Sequence, residues 1–546
     1  MKKNIPLSIL KWIITALVAG GYYWFVLPPI NLKSRDFWSF VSFIIIISVV
    51  IHAFSQIVAF IKENKNPVKI AGIPKISLKS LGKPIKFALI SVLTIVILSG
   101  LASIVGAEIF NARSYNNLIT LTDGDFIEDV AEISQEQIPV VDRDTASRLG
   151  QRKLGEMSDL VSQFEIEEIY TQINYKGKPV RVTPLMYGDI IKWFNNRSEG
   201  IPAYITVDMT TQETELVRLN EGIKYSESEY FMRDLYRALR FKYPTMIFDN
   251  ISFEIDDNGT PYWIASVVDY RIGFWSGSDI DGIVMLNAVT GDSKYYSLTE
   301  VPTWVDQVYD SNMILEQLVY NGKYRSGFFN SIFGQRGVLQ PTDGYNYLAM
   351  DDDVFLYTGM TSVTSDESNV GFVLTNLRTK ATKFYTIPGA EEYSAMSSAE
   401  GQVQHLKYSA TFPLLLNVSD RPTYFMSLKD GAGLVKMYAF VDVNQYQIVG
   451  TGNSVESARA DYISKLKTEN VTDLPQDETN EITGVIEKIN SAVVEGNTVY
   501  YIKLEDNDNV YTAQITISDM LPFATKGNAV KITVSGKTIN AIEFVK

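Results

Sequence analysis

Two histidines are all that these 546 residues offer for imidazole chemistry, and there is no cysteine. His52 lies inside a long apolar run beside Ser55 and Gln56, where it could carry a proton or bond a neighbouring helix. His405 stands far from it. There is no histidine pair for zinc, no Gly-x-Ser-x-Gly elbow and no Walker-type phosphate loop. The missing cysteine excludes disulfides, zinc–thiolate sites and thiol nucleophiles. No catalytic residue and no cofactor is expected. Two acidic clusters could lend oxygens to calcium: Asp279-Ile280-Asp281-Gly282 and Asp351-Asp352-Asp353. The twelve-residue calcium loop pattern is absent, so Asp279, Asp281, Asp351 and Asp353 read first as solvated turn residues and no metal is expected. Paired carboxylates could also hydrolyse glycans, though an acid-rich chain produces such pairs by chance. Two aromatic loops are more unusual. Gly273-Phe274-Trp275-Ser276-Gly277 sits in a hairpin connection, and Gly327-Phe328-Phe329-Asn330-Ser331-Ile332-Phe333-Gly334 is apolar between glycines. If exposed, Phe274, Trp275, Phe328, Phe329 and Phe333 would bind a partner or a membrane; the alternative is a loop folded onto the core.

The elements that must position these residues begin with three apolar runs, Trp12–Leu32, Phe37–Ile61 and Phe87–Ala107. Each can cross a hydrocarbon core of about 30 Å, and none holds an acid, lysine or arginine. The segment 62–86 carries seven lysines against Glu63 alone. By the positive-inside tendency, the N-terminus and this loop face the cytoplasm, and residues 113–546 emerge outside. Tyr22, Tyr23, Trp24 and Trp38 fit interfacial belts. Residues 1–112 form a membrane domain and residues 113–164 a helical connector.

The chain has 49 basic and 63 acidic residues. Residues 1–112 hold 12 of the bases and 3 of the acids, so residues 113–546 carry a net charge of −23. Such a surface repels phosphate backbones and disfavours nucleic acid. Aromatic and β-branched segments predict a β-rich outer region.

One pattern recurs four times. A Gly- or Pro-containing turn leads into a strand, then a second strand ends in Asp or Asn, and a polar turn leads into a third. The Asp or Asn is Asp208, Asn287, Asn376 or Asp442, a residue type that starts turns by bonding its own backbone. The spacings of 79, 89 and 66 are too uneven for a tight solenoid. They predict tandem α+β modules, one pair over 165–300 and a second over 301–467. Ser226 and Glu229 read as a capping box ahead of a helix stopped by Pro244. Further helices are predicted over 303–320 and 454–467. The element Leu286-Asn287-Ala288-Val289-Thr290-Gly291 resembles the end of a PepSY-type module, a small α+β unit found outside the membrane in protease propeptides and anchored regulators. The first, third and fourth copies lack the glycine. That resemblance implies binding or inhibition rather than catalysis.

Residues 468–480 are polar and read as a linker. Five strands follow, about 482–490, 498–504, 509–517, 528–534 and 537–545, with a non-strand piece at Ser518–Ala524. This module, 481–546, resembles an OB-fold barrel. Tyr500, Tyr501 and Tyr511 could stack on bases, but six lysines face eight acids there.

The expectation is three transmembrane helices, then α+β tandem modules and a small β-barrel. The reading that follows is a non-enzymatic, membrane-anchored binding or scaffold protein of a bacterial cell envelope. Its partners would be the lipid bilayer and either envelope proteins or copies of itself, and no nucleic acid. A carboxylate-dependent extracytoplasmic hydrolase and an accessory subunit of a transport or signalling complex are the alternatives.

Overall fold

A computed structural model describes residues 7–63, 83–132, 138–363, 365–469, 480–494, 497–507, 509–535 and 537–545. Most of the lysine-rich segment 62–86, most of the linker 468–480 and the turn residues Glu495, Gly496 and Gly536 lie outside the described residues. The apolar runs form helices α1 (Leu7–Val26), α2 (Arg35–Glu63) and α3 (Lys83–Val105). All three are long and apolar enough to cross a membrane. Helix α1 ends at Val26 and not at Leu32, because Pro28 and Pro29 follow and proline cannot continue a helix.

The chain divides into two compact units, Met1–Thr468 and Glu469–Lys546. Beyond α3, the first unit repeats one plan four times: a helix, then a four-stranded antiparallel meander. The first module has helix Arg143–Gly155 and strands Thr171–Tyr175, Lys178–Tyr187, Ile201–Asp208 and Thr214–Ile223. The second has helix Leu235–Lys242 and strands Ile247–Ile255, Pro261–Ile272, Ser276–Asn287 and Ser293–Ser297. The third has helix Ser311–Tyr324 and strands Asn346–Met350, Asp353–Ser362, Ser365–Asn376 and Thr382–Tyr385. The fourth has helix Glu392–Gln402 and strands Leu414–Val418, Arg421–Lys429, Val435–Asp442 and Val449–Gly452. Short edge strands are added in the first, third and fourth sheets.

The turn residues explain why the plan repeats. Asp208 Oδ1 accepts from the amides of Thr210 and Thr211, Asn287 Oδ1 from Val289 and Thr290, Asn376 Oδ1 from Arg378 and Thr379, and Asp442 Oδ1 from Asn444 and Gln445. The residue after each is buried: Met209, Ala288, Leu377 and Val443. Its carbonyl accepts from the segment that enters a module's helix: Val140, Lys224, Val308 and Ala390 respectively. Each strand end therefore clamps the start of a helix.

A second local rule sets the hairpins. Lys176-Gly177, Asp351-Asp352 and Ser419-Asp420 each join the first two strands of a module with both residues at positive φ. Two-residue loops of that kind match the twist of the strands they join.

Two helix predictions need correction. The second-module helix starts at Leu235 behind Asp234, whose carboxylate accepts from the Arg237 amide; Ser226 and Glu229 lie upstream and do not cap it. Glu229 is buried and accepts instead from Tyr187 Oη and Trp193 Nε1 of the first module. The third helix begins at Ser311, not 303, because Asp310 caps it and the Val308 and Tyr309 amides donate to the Leu377 carbonyl instead of to a preceding helical turn. The last helix of the unit spans Val455–Thr468.

The connector is not helical throughout. Helix Glu108–Asn116 is followed by Leu121–Asp123, which pairs in parallel with Thr382–Tyr385 of the third sheet. The chain next crosses the fourth module, where Asn417 Nδ2 donates to the Val130 carbonyl and Arg459 pairs with Glu132. Only then does it build the first module.

The second unit is a closed barrel of strands Asn480–Val494, Asn497–Leu504, Val510–Gln514, Ala529–Ser535 and Thr538–Val545. Ile486, Ile502, Leu504, Tyr511, Ile532 and Ile539 fill it.

Candidate functional site

A cavity of about 210 Å³ lies where the first, third and fourth modules meet. Met209 and Arg181 come from the first module, Tyr345, Asn346 and Tyr347 from the third, and Phe412, Phe425 and Met426 from the fourth. Strand Lys178–Tyr187 places Arg181 there between the buried Val180 and Val182 of the opposite face. Its side chain is 7% exposed. Nη1 donates to the Tyr170 carbonyl and Nη2 to Gln172 Oε1, both at 3.3 Å, while Nε has no partner. Among the described residues no carboxylate pairs with it. Asp142 lines the same cavity, but it accepts from Lys429 and from the Thr145 amide, which hold its carboxyl below the usual range against the opposing effect of burial. Burial pulls the Arg181 pKa down to about 10, which leaves it charged at neutral pH. The Asp142 and Asp144 charges act on Arg181 only from a distance, and a buried guanidinium with no carboxylate in contact costs several kcal/mol. It is therefore a poor stabilising device and a good receptor for an anionic group, with apolar walls beside it.

Next to this cavity runs a buried polar chain. Gln172 Nε2 donates to the Tyr347 carbonyl, and Gln307 Nε2 donates to the Gln172 carbonyl. Glu254 accepts from Ser252 Oγ and from the amides of Asp306 and Gln307. Asp306 Oδ2 accepts from the Asn174 amide at 2.7 Å. Burial pushes Glu254 up to about 7. Burial and then the neighbouring Glu254 push Asp306 well above the usual carboxylate range. Neither acid lines the Arg181 cavity. They serve as a joint: Glu254 belongs to the second module, Asn174 to the first, and Asp306 to the segment entering the third.

The aromatic loops predicted from sequence do not line that cavity. Phe274 and Trp275 form the tip of the hairpin Pro261–Ile272/Ser276–Asn287, and the tip reaches the membrane helices. The Arg35 guanidinium at the start of α2 lies 5.9 Å from the Trp275 ring. A Cβ on Gly273 would come within 3.2 Å of Gly106 Cα, just beyond α3. Phe328 stacks on Tyr324, which bonds Glu108. Phe329 and Phe333 project outward, 66% and 82% exposed.

The acidic clusters are already engaged. Asp279 pairs with Lys380 at 2.6 Å and Asp281 with Arg271 at 3.3 Å. Asp353 accepts from Arg378 Nε and from Asn376 Nδ2. Asp351 and Asp352 are the two positive-φ turn residues described above. No group of three metal-ligating side chains occurs among the described residues. His405 lies in a short 3-10 turn, Gln404–Leu406. His52 lines a 380 Å³ crevice among the three membrane helices with Lys11, Thr15, Ser48 and Ser91. In the barrel, Tyr511 is buried in the core and offers no ring to a nucleobase.

Arg181 was not legible as a site residue. Val180-Arg181-Val182 reads as a strand with one solvated face, and nothing local says that both faces are covered.

No family model matches the chain, and neither does any curated protein sequence. Among solved structures, a levansucrase variant from B. megaterium aligns at 10% identity over 79% of this chain and 96% of that one, with a TM-score of 0.18. Bacillus subtilis levansucrase aligns at 10% identity over 80% and 93%, with a TM-score of 0.15. Likeness at that level carries no argument about this chain.

Proposed function

We propose that this is a membrane-anchored, non-enzymatic binding protein of a bacterial cell envelope. Three spans would fix it in the cytoplasmic membrane, with the four modules and the barrel outside. The Arg181 cavity would receive an anionic group of a partner protein or of a second copy. The observation that carries this reading is Arg181 itself, charged, buried and without a carboxylate in ion-pair contact among the described residues, at a cavity with apolar walls on one side. The helix–meander modules keep their PepSY-like reading, and the five-stranded barrel its OB-like one, as further binding units. The lysines of 62–86 support the orientation. So does one geometric fact: the loop between α1 and α2 packs on the second module, through Ile30 to Pro244, Asn31 to Thr245 and Lys33 to Asp269. That loop and the modules thus share one side.

The test is affinity capture of the full chain from solubilised membranes, followed by light scattering. A bound partner or a defined oligomer is expected, and Arg181→Met should lose it while keeping its melting temperature, since a similar apolar volume replaces a buried charge that no carboxylate contacts. A chain that emerges alone and monomeric sinks the proposal. The hydrolase alternative draws support only from the raised carboxyls of Glu254 and Asp306, which are occupied as a structural joint. The transport or signalling alternative draws on the His52 crevice; His52→Ala with every phenotype unchanged would count against it.

A further inference from the structure

The most exposed apolar side chains in the modules are not scattered. Among the described residues of 108–468, the large hydrophobic side chains more than half exposed are Phe110, Ile190, Ile191, Phe194, Phe231, Phe274, Phe329, Ile332 and Phe333. All nine fall in two groups that flank the outer ends of the membrane helices. In the first, Ile190, Ile191 and Phe194 lie on helix Ile190–Asn196, whose Trp193 ring sits 6.0 Å from Phe231. The Phe231 carbonyl accepts from Arg237 Nη1, and the same guanidinium covers Trp24 at 4.6 Å, near the end of α1. In the second, Phe274 is on the hairpin tip against Gly106 and Arg35. Phe110 lies on the helix that follows α3, and the 327–334 loop is tied to that helix through Tyr324 and Glu108.

An ordinary soluble surface spreads single exposed apolar side chains over all its faces. Here those more than half exposed gather where the helices leave the bilayer. Basic side chains accompany them: Lys192 and Arg197 beside the first group, Arg325 and Arg336 on either side of the 327–334 loop. Aromatic rings with adjacent cations suit the interfacial zone, where the ring enters the acyl boundary and the cation meets phosphate.

We infer that the modules lie down on the outer leaflet, with Ile190, Ile191, Phe194 and Phe231 on one side and Phe274, Phe329, Ile332 and Phe333 on the other embedded in the lipid interface. The occupant of this surface is the same bilayer that the three helices cross, because the surface is continuous with their outer ends. The inference rests on the helices being spans, and the experiment separates the two.

The natural absence of cysteine allows single spin labels without removing any residue. Phe333→Cys, Phe194→Cys, Leu93→Cys and Lys436→Cys would each be labelled in the full chain, reconstituted in phosphatidylcholine–phosphatidylglycerol vesicles. Leu93 lies within α3 and Lys436 at an exposed position near the start of strand Val435–Asp442 in the fourth module. Collision with oxygen against collision with a water-soluble nickel complex reports depth. Labels at 333 and 194 should show oxygen favoured over nickel by several-fold relative to 436, approaching the ratio at 93. If 93 reads as lipid while 333 or 194 reads as 436 does, the belt is overturned and the spans stand. If 333 and 194 are shielded from both reagents, protein covers them and the belt is again overturned. A water-like signal at 93 defeats the spans and the belt together.

Discussion

Glu254 is the residue whose chemistry is most altered by its position. It is fully buried, its oxygens accept from three donors, and its carboxyl is pushed up to about 7. A carboxyl with a raised folded pKa keeps its proton longer in the folded chain than in the unfolded one. Its contribution to stability is therefore full below about pH 4.5 and is lost as pH rises through 7, a change on the order of 3 kcal/mol. The melting temperature of the full chain should fall between pH 5 and pH 8, and Glu254→Gln should flatten that fall; an unchanged slope in the variant would refute the assignment. Such residues were not readable beforehand. Glu254 sits in Ser252-Phe253-Glu254-Ile255, which alternates like any half-buried strand, and two of its three donors, the Asp306 and Gln307 amides, come from 52 and 53 residues later. The aromatic loops were readable as apolar, because composition alone carries that signal, but whether they were exposed or folded onto the core was open. Their address beside the helix ends was not readable.

At the scale of elements, the four Asp/Asn turns were the clearest message in the chain. An acceptor on a short side chain bonds the amides two and three residues on, and that rule is local. The missing glycines turn out to have a local reason too. Gln212, Gly291 and Lys380 all occupy the left-handed region at the same place in the first three turns. Backbone conformation therefore does not demand glycine there. Only in the second copy does a neighbour forbid a side chain: a Cβ on Gly291 would lie 2.2 Å from the Tyr225 ring. Gly291→Asn, which tolerates the left-handed region, should still cost about 1–3 kcal/mol through overpacking. In a double-mutant cycle, Tyr225→Ala should recover part of that loss; strict additivity would reject the explanation. The capping-box reading of Ser226 and Glu229 failed for the opposite reason. The spacing was right, but Tyr187 and Trp193 of another module claim the carboxylate, and Asp234 lies closer to the first helical turn.

For the whole molecule, three apolar runs and their lengths were plain from hydrophobicity, while the way the modules sit on them was not. Arg240 provides much of that attachment. It is buried, and it donates through Nε to the Leu27 carbonyl at 2.8 Å and through Nη1 to Met246. Arg240→Met should free the loop between α1 and α2. Hydrogen exchange of residues 30–34 should then rise by at least tenfold with the modules' own protection intact; unchanged exchange would show that the loop holds without it. By contrast, the partly exposed Lys33–Asp269 pair should contribute under about 1 kcal/mol, so Lys33→Ala should scarcely move the melting temperature.

The strand Leu121–Asp123 has a consequence in time. Its partner, Thr382–Tyr385, lies about 260 residues downstream. At 5–20 residues per second, the ribosome delivers that partner roughly 10–50 s later. During this interval the segment is tethered next to α3 with its hydrogen-bonding edge open, a state prone to wrong pairings. Biogenesis of this chain is therefore gated by its third module. A nascent chain arrested after residue 330 should be captured by chaperones or degraded within minutes in a pulse-chase, while one extended past residue 390 should acquire protease resistance. Equal survival of the two would show that the early segment finds shelter without its distant neighbour.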